Sequence, residues 1–410
     1  RGFLYELSNS LAYNRINIVR VRIKSIGSRV EDTLYVTDYE GRKVIDPERQ
    51  RELRAAIVLI KHFTHLLPYS PNPESALLHF RELIGQVFRQ PDWPDDLISL
   101  QQPKVLNALA RLLGISDFLW DDFLRLQYAN LFPVVQDVDA LAEARSKEEL
   151  QEELLHKLDL SLTGGGKVVP PGWRRTLNAF KDREMFRIDM RHILGHIEQF
   201  GDFSSELTDL SEVTVETAAR LCQEELSLEY GQPFGSNGIC PFTIFALGKC
   251  GGRELGFASD IELMFIYGGN CQIAGEQPIS TAEYYEKVVQ LFLGAISARR
   301  KGVFTIDLQL RPYGDAGHMA VSLEGFKRDF SPQGPAWAYE RQALIKLRPI
   351  AGNPELGAAV ASLRDAYVYS GELYDTKAMR AMRERQLRHM VAGGSFNAKY
   401  SLGGLVDIEY

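Results

Sequence analysis

The sequence predicts an α+β fold, a small sheet set inside a mostly helical chain. Three observations carry that expectation. Residues from about 61 to 235, and again from 355 onward, space their apolar side chains as helices do. Three strand-like runs lie between those stretches, at Phe242 to Leu247, Glu262 to Tyr267 and Phe304 to Leu310. A separate pair of strands is expected near the start of the chain.

Residues 1–60 read helix, strand, strand, helix. Gly2 to Tyr13 has helical spacing through Phe3, Leu4, Leu7 and Leu11. Val19, Val21 and Ile23 then alternate with Arg20, Arg22 and Lys24, the pattern of a half-buried strand with its valines and isoleucine inward. Glu31 to Thr37 forms the second strand after a turn at Gly27-Ser28, and Asp46-Pro47 opens a helix with a capping acid and a first-turn proline. The helical stretch that follows is broken at Pro68 to Pro73, Pro91 to Pro94 and Gly164 to Pro171. Ser280 and Glu283 have the spacing of a capping box, opening a helix expected to end near Lys301-Gly302. The chain thus divides into 1–60, a helical region 61–235, a core 236–350 and a helical segment 351–410.

Composition bounds the function classes. A chain of 410 residues is long enough for two or three domains, and 45% hydrophobic with 25% charged residues is ordinary for a globular protein. A net charge of −7 argues against a nucleic-acid partner, because phosphate backbones select basic surfaces. No apolar run reaches membrane-spanning length and no signal peptide is visible, so no membrane partner is expected. The chain begins with Arg1 and reads as a fragment. Cys222, Cys240, Cys250 and Cys271 are scattered without a C-x-x-C, which reads as free thiols in a reducing, cytoplasmic setting.

One compact pattern carries chemistry. Gly248, Lys249, Glu254, Leu255, Ser259, Asp260 and Glu262 form G-K-x-G-G-x-E-L-x-x-x-S-D-x-E, running into the apolar Leu263 to Tyr267. Alternation along a strand puts Asp260 and Glu262 on one side and Ile261 and Leu263 on the other. Two ionised carboxylates beside an apolar core repel each other and lose hydration, so they call for a cation, and a glycine turn just upstream brings backbone N–H groups toward phosphate. The run Thr305 to Arg311 alternates too, with Asp307, Gln309 and Arg311 on its polar face. Asp307 would complete a three-carboxylate set for two Mg²⁺ ions, with Lys249 and Arg311 neutralising phosphate. On spacing alone a bland reading stands equally: Asp260 caps a turn, Glu262 is surface and Asp307 pairs with Arg311. Gly164 to Lys167 lacks phosphate-loop spacing, His192 and His196 lack a H-E-x-x-H pattern, and no G-x-S-x-G occurs.

Gly248 to Tyr267, with Asp307-Leu308-Gln309-Leu310-Arg311-Pro312-Tyr313-Gly314, resembles the glutamine synthetase adenylyltransferase/deadenylylase family of DNA polymerase β-like nucleotidyltransferases. Leu113 to Trp120, Phe180 to Ile188, Trp337 to Arg348 and Gly403 to Glu409 resemble further segments of that family, the last being the entry to a following helical domain. The resemblance implies a mixed-sheet nucleotidyltransferase core. It implies Asp260, Glu262 and Asp307 as Mg²⁺ ligands and catalytic residues, with Gly248, Lys249, Ser259 and Arg311 at the nucleotide. The family usually carries D-x-D; this chain has Glu262 at the second position, which keeps the charge and reaches one methylene farther. Residues 1–60 resemble an ACT domain without its first strand, implying a site for glutamine or another amino acid.

The chemistry so implied moves AMP from ATP to a tyrosine of glutamine synthetase, or removes it by attack of orthophosphate with release of ADP. Arg311 to Gly314 and Glu340-Arg341 look more like the removing half of such enzymes. Two rival readings accompany it: a nucleotidyltransferase acting on the PII signalling protein, and a catalytically silent regulatory module that binds nucleotide.

Overall fold

The computed structural model describes residues 7–8, 11–12, 15–27, 29–87, 89, 102–114, 140–159, 169–235, 238–257, 259–273, 275, 279–298, 304–309, 317–371, 375–391, 393 and 396–409. The chain separates into two compact units, Arg1–Ala144 with Asp182–Phe200, and Arg145–Lys181 with Gly201–Tyr410.

In the first unit, β1 (Ile16–Ile26) and β2 (Arg29–Asp38) form an antiparallel ribbon. Ile16, Ile18, Leu34 and Val36 pack against Leu7, Leu11 and Leu53, the last from α1 (Pro47–Leu66). Asp46 caps α1 as expected, its Oδ1 accepting the Glu48 N–H at 3.1 Å, with Pro47 in the first turn. The expected inward face of β1 is not buried: Val19, Val21 and Ile23 are 66%, 44% and 58% exposed. A register shift between Ile18 and Arg20 takes Val19 out of the alternation, as a bulge does. Past it, the ribbon is two strands wide among the described residues, so its far half has no layer to bury against. Helices α2 (Pro73–Val87) and α3 (Pro103–Leu113) follow, with Phe63 stacked on Phe80 and the His79 ring bonded to the Leu113 carbonyl at 2.7 Å. Of Gly2 to Tyr13, the four residues described are helical; the rest, the break at Pro91 to Pro94, Ile115 to Trp120 and most of the Gly164 loop lie outside the described residues.

The second unit opens with α4 (Lys147–Lys157), the first residues of α5 (Trp173–Leu194) and α6 (Phe200–Tyr230). A small sheet follows from β3 (Pro233–Gly235), β4 (Gly238–Ile239) and, later, β7 (Gln272–Ile273). The main sheet contains β5 (Phe242–Ala246), β6 (Ile261–Tyr267), β8 (Ile306–Asp307), β9 (Ala320–Ser322) and β10 (Arg348–Gly352). Its order is β10-β5-β6-β8 with β9 also on β6; β5 runs antiparallel to both β6 and β10, while β8 and β9 run parallel to β6. It is a mixed sheet, as expected.

Helices cover both faces, which is why β6 reads as an unbroken apolar run. On one face Phe242 stacks on Tyr285 and Phe265 meets Phe292, both partners from α8 (Thr281–Ala295). On the other, Phe245, Leu247, Met264 and Ile266 pack with Phe326 and Phe330 of α9 (Leu323–Phe330) and Leu356 and Val360 of α11 (Pro354–Val368). Among the described residues the remaining α-helices are α7 (Gly248–Gly251), α10 (Ala338–Ala343), α12 (Thr376–Met390) and α13 (Leu405–Glu409).

Three expectations are corrected here. The helix opened by Ser280 ends at Ala295, not near Lys301: the Asn178 amide donates to the Ala295 carbonyl at 2.8 Å and accepts the Ser297 N–H at 2.9 Å, terminating it. The strand expected from Phe304 to Leu310 is strand at Ile306–Asp307 only. Phe304 is left-handed (φ 57°), and Asp307 Oδ1 accepts the Gln309 N–H at 2.8 Å, turning the chain. Cys240 and Cys271 are not free thiols but a disulfide, with Cα atoms 6.1 Å apart. Cys222 and Cys250 are free and buried, and burial pushes both thiols up to about 12. Among the described residues no helix is long and apolar enough to cross a membrane.

Candidate active site

The site is built where β5 turns into β6. The Leu247 N–H donates to the Glu262 carbonyl at 2.9 Å, and α7 follows as a single turn closed by Gly251 N–H to Leu247 O at 2.8 Å. Gly248 has φ 48°, and a Cβ there would fall 1.3 Å from Glu262 Oε2. Glycine is demanded twice, by conformation and by the carboxylate lying against it. Ser259 is 7% exposed, and its hydroxyl accepts the Gly256 N–H at 2.9 Å, bracing the loop ahead of the acids.

Strand pairing gathers the acids. Ile261 donates to the Thr305 carbonyl at 2.8 Å, and the parallel register sets Glu262 directly beside Asp307. Paired residues on neighbouring strands point to the same face, and Asp260, two residues before Glu262, shares it. Ile261 and Leu263 are buried on the other side, each 1% exposed. Short as it is, β8 brings Asp307 level with Glu262.

The charges strain one another. Burial, first, and then the negative charges of Asp307 and Asp260 raise the Glu262 carboxyl above its ordinary value; Lys399 and Lys249 pull it back. Lys399 was not singled out from the sequence. It sits in the loop before α13, where Asn397 Oδ1 accepts the N–H groups of Lys399 at 3.0 Å and Tyr400 at 3.1 Å, and the Lys399 carbonyl accepts the Val406 N–H at 3.1 Å. The Gly403-Gly404 pattern nearby was visible as a motif, but nothing in it announces a return to β6. Arg311 lies outside the described residues. Among the described residues no three acidic, histidine or cysteine side chains are drawn together tightly enough to ligate one ion as they stand.

Acidic side chains on adjoining strands, below a glycine turn and within a mixed sheet flanked by helices, are the arrangement of the nucleotidyltransferase-type α+β fold. Residues 106–363, more than half of the chain, match the family described as glutamate-ammonia ligase adenylyltransferase, and the chain belongs to that family. Relatives named bifunctional glutamine synthetase adenylyltransferase/adenylyl-removing enzyme include one from Methylococcus capsulatus, 34% identical over 57% of this chain and 26% of its own length. Those from Ralstonia nicotianae and Acinetobacter baylyi are 33% and 26% identical, over 76% and 85% of this chain and 31% and 38% of theirs. The chain therefore spans about a quarter to two-fifths of the curated relatives it matches.

Proposed function

We propose that this chain carries a Mg²⁺-dependent adenylyl-transfer site acting on a tyrosine of glutamine synthetase, in the adding or the phosphorolytic removing direction. The observation that carries this reading is the register pairing of Glu262 with Asp307, with Asp260 on the same face. Three oxygen-donor side chains directed to one face suit a hard cation by their chemistry, though as they stand they do not yet form a ligating set. Burial, first, and then the charges of Asp307 and Asp260 raise the Glu262 carboxyl, and a cation bound between these acids would offset both effects.

In this reading the N–H groups at the start of the Gly248–Gly251 turn receive a nucleotide phosphate, and Ser259 holds the loop that carries Asp260. Lys249 and Lys399 offset the negative charge of the bound phosphates, with Arg311 assigned to the same task. Asp260, Glu262 and Asp307 would hold Mg²⁺, which when bound stabilises charge on the attacking and leaving oxygens of an in-line displacement. In the adding direction the tyrosine oxygen bonds to the α-phosphorus of ATP and pyrophosphate departs. In the removing direction an orthophosphate oxygen bonds to the phosphorus of the adenylyl group and ADP leaves the tyrosine. The names of the relatives, each stating both activities, support this pairing of directions.

The test is incubation of the chain with α-labelled ATP, Mg²⁺ and glutamine synthetase, and separately with adenylylated glutamine synthetase and orthophosphate. Label on the synthetase, or released as ADP, is expected; transfer to PII instead would move the assignment to that target. Asp260→Asn is expected to abolish turnover with little change in thermal midpoint, and full retention of turnover would favour the silent regulatory module. For residues 1–60, the β1–β2 ribbon followed by α1 supports a partial ACT-like module. Calorimetric titration with glutamine tests its amino-acid site, and no heat of binding removes that part.

A further inference from the structure

The loop after β5 is held from behind by a carboxylate that the proposed chemistry does not use. Glu212 lies on α6 and is 3% exposed. Its Oε1 accepts from Arg348 Nη1 at 2.5 Å and from Arg253 Nη1 at 3.5 Å, and its Oε2 accepts from Lys147 Nζ at 2.5 Å. Arg348, the first residue of β10, directs its other donors at loop backbone: Nε to the Gly251 carbonyl and Nη2 to the Cys250 carbonyl, each at 3.0 Å. These are the carbonyls at the end of α7, which a neighbouring cation satisfies.

Arg253 ties the far side of the same loop. It adopts a left-handed backbone (φ 57°), uncommon for a residue with a side chain, and its Nη2 donates to Asp209 Oδ1 at 2.9 Å and the Ser205 carbonyl at 3.4 Å. Two arginines flanking the turn thus converge on one buried carboxylate. The turn has no slack: a Cβ on Gly251 would come within 2.0 Å of the Lys346 carbonyl oxygen and 2.8 Å of that of Ala246. A buried ion cluster is often no more stabilising than apolar residues of the same volume would be, and its best-attested use is to fix one conformation among several. Here the conformation fixed is that of Gly248–Gly251.

We propose that Glu212 and Arg348 are positioning residues for adenylyl transfer, holding the Gly248–Gly251 turn in its place against the Glu262 carboxylate. The proposal rests on the function inferred above. Its experiment uses Glu212→Gln and Arg348→Lys, which preserve bulk but remove the charge or the planar fork that bridges carboxylate and two carbonyls. Two readouts are taken: kcat and KM for ATP in transfer to glutamine synthetase, and amide hydrogen exchange across Gly248–Gly252 in the free chain. The expected result is a kcat lower by roughly ten- to a hundredfold in each variant, a double variant little worse than the worse single, and faster exchange in that turn. Parental kcat and unchanged exchange in both variants would overturn it, as would a loss confined to thermal stability. If Arg348→Lys does not fold, Glu212→Gln decides alone. A parent chain without transfer defeats the adenylyl-transfer reading, while the exchange measurement still decides whether the clamp holds the turn.

Discussion

Glu262 is the residue on which most forces meet. It is half-buried, lies against Gly248, neighbours Asp307 across the strand pair, and feels Asp260 and two lysines. Gly248→Ala introduces a Cβ where Glu262 Oε2 stands, so either the carboxylate or the turn must move. We predict loss of nucleotide binding, read by calorimetric titration with ATP and Mg²⁺; parental affinity contradicts the placement. Asp307→Asn removes one of the repelling charges, so its thermal midpoint is expected to equal or exceed that of the parent while turnover is lost. At this scale the sequence was informative about the loop and β6, because their chemistry is local: a glycine turn, then acids two apart. Lys399 was illegible, since its approach depends on how a distant loop folds back, and periodicity carries no such information.

Among the elements, β6 and its partner β8 show what alternation can and cannot foretell. The apolar run Leu263 to Tyr267 was readable as a buried strand, and it is one. The run through Leu310 also alternates, yet the strand stops at Asp307 because that side chain captures the Gln309 N–H. A side chain bonding to its own backbone competes with the ladder, and alternation is blind to it. The same limit explains β1, whose valines were expected inward: amphipathic pattern marks a strand, but a bulge, and what packs on the ribbon among the described residues, decide what is buried. Cross-sheet packing has a direct test in Phe245→Ala, which leaves a cavity in the cluster around Phe326 and should cost about 3–5 kcal/mol in denaturant unfolding.

The clamp on the loop after β5 makes an element-scale prediction about pH. Glu212 is held below its ordinary value by hydrogen bonds and charge from Lys147 and Arg348, which outweigh the opposing effect of burial. A carboxylate with a lowered native pKa contributes stability that is present above its unfolded value and lost as pH falls through the native one. The parent should therefore lose thermal stability below about pH 4.5 more steeply than Glu212→Gln. Parallel curves for the two proteins would contradict the assignment of that contribution to Glu212.

At the scale of the whole molecule, the overall class was legible and the covalent constraint was not. Helical spacing on either side of a strand-rich core indicated a sheet within helices, and the family resemblance added its mixed character, whereas four cysteines spread along a sequence do not disclose which two meet. The Cys240–Cys271 bond closes a loop with a sequence separation of 31 that contains all of β5, α7 and β6. Constraining such a loop in the unfolded chain corresponds to about 3–4 kcal/mol. Thermal unfolding with and without reductant should show a lower midpoint for the reduced chain, and coincident midpoints contradict a stabilising role.

In the proposed function, acids on two adjoining strands of this sheet serve adenylyl transfer. Its most direct test is label transfer from α-labelled ATP to glutamine synthetase by the parent and by Asp307→Asn, with phosphorolysis of adenylylated synthetase run beside it. Mg²⁺-dependent reaction by the parent, and none by a variant whose thermal midpoint is no lower, is the expected result; a folded Asp307→Asn that turns over as the parent does would rule the assignment out.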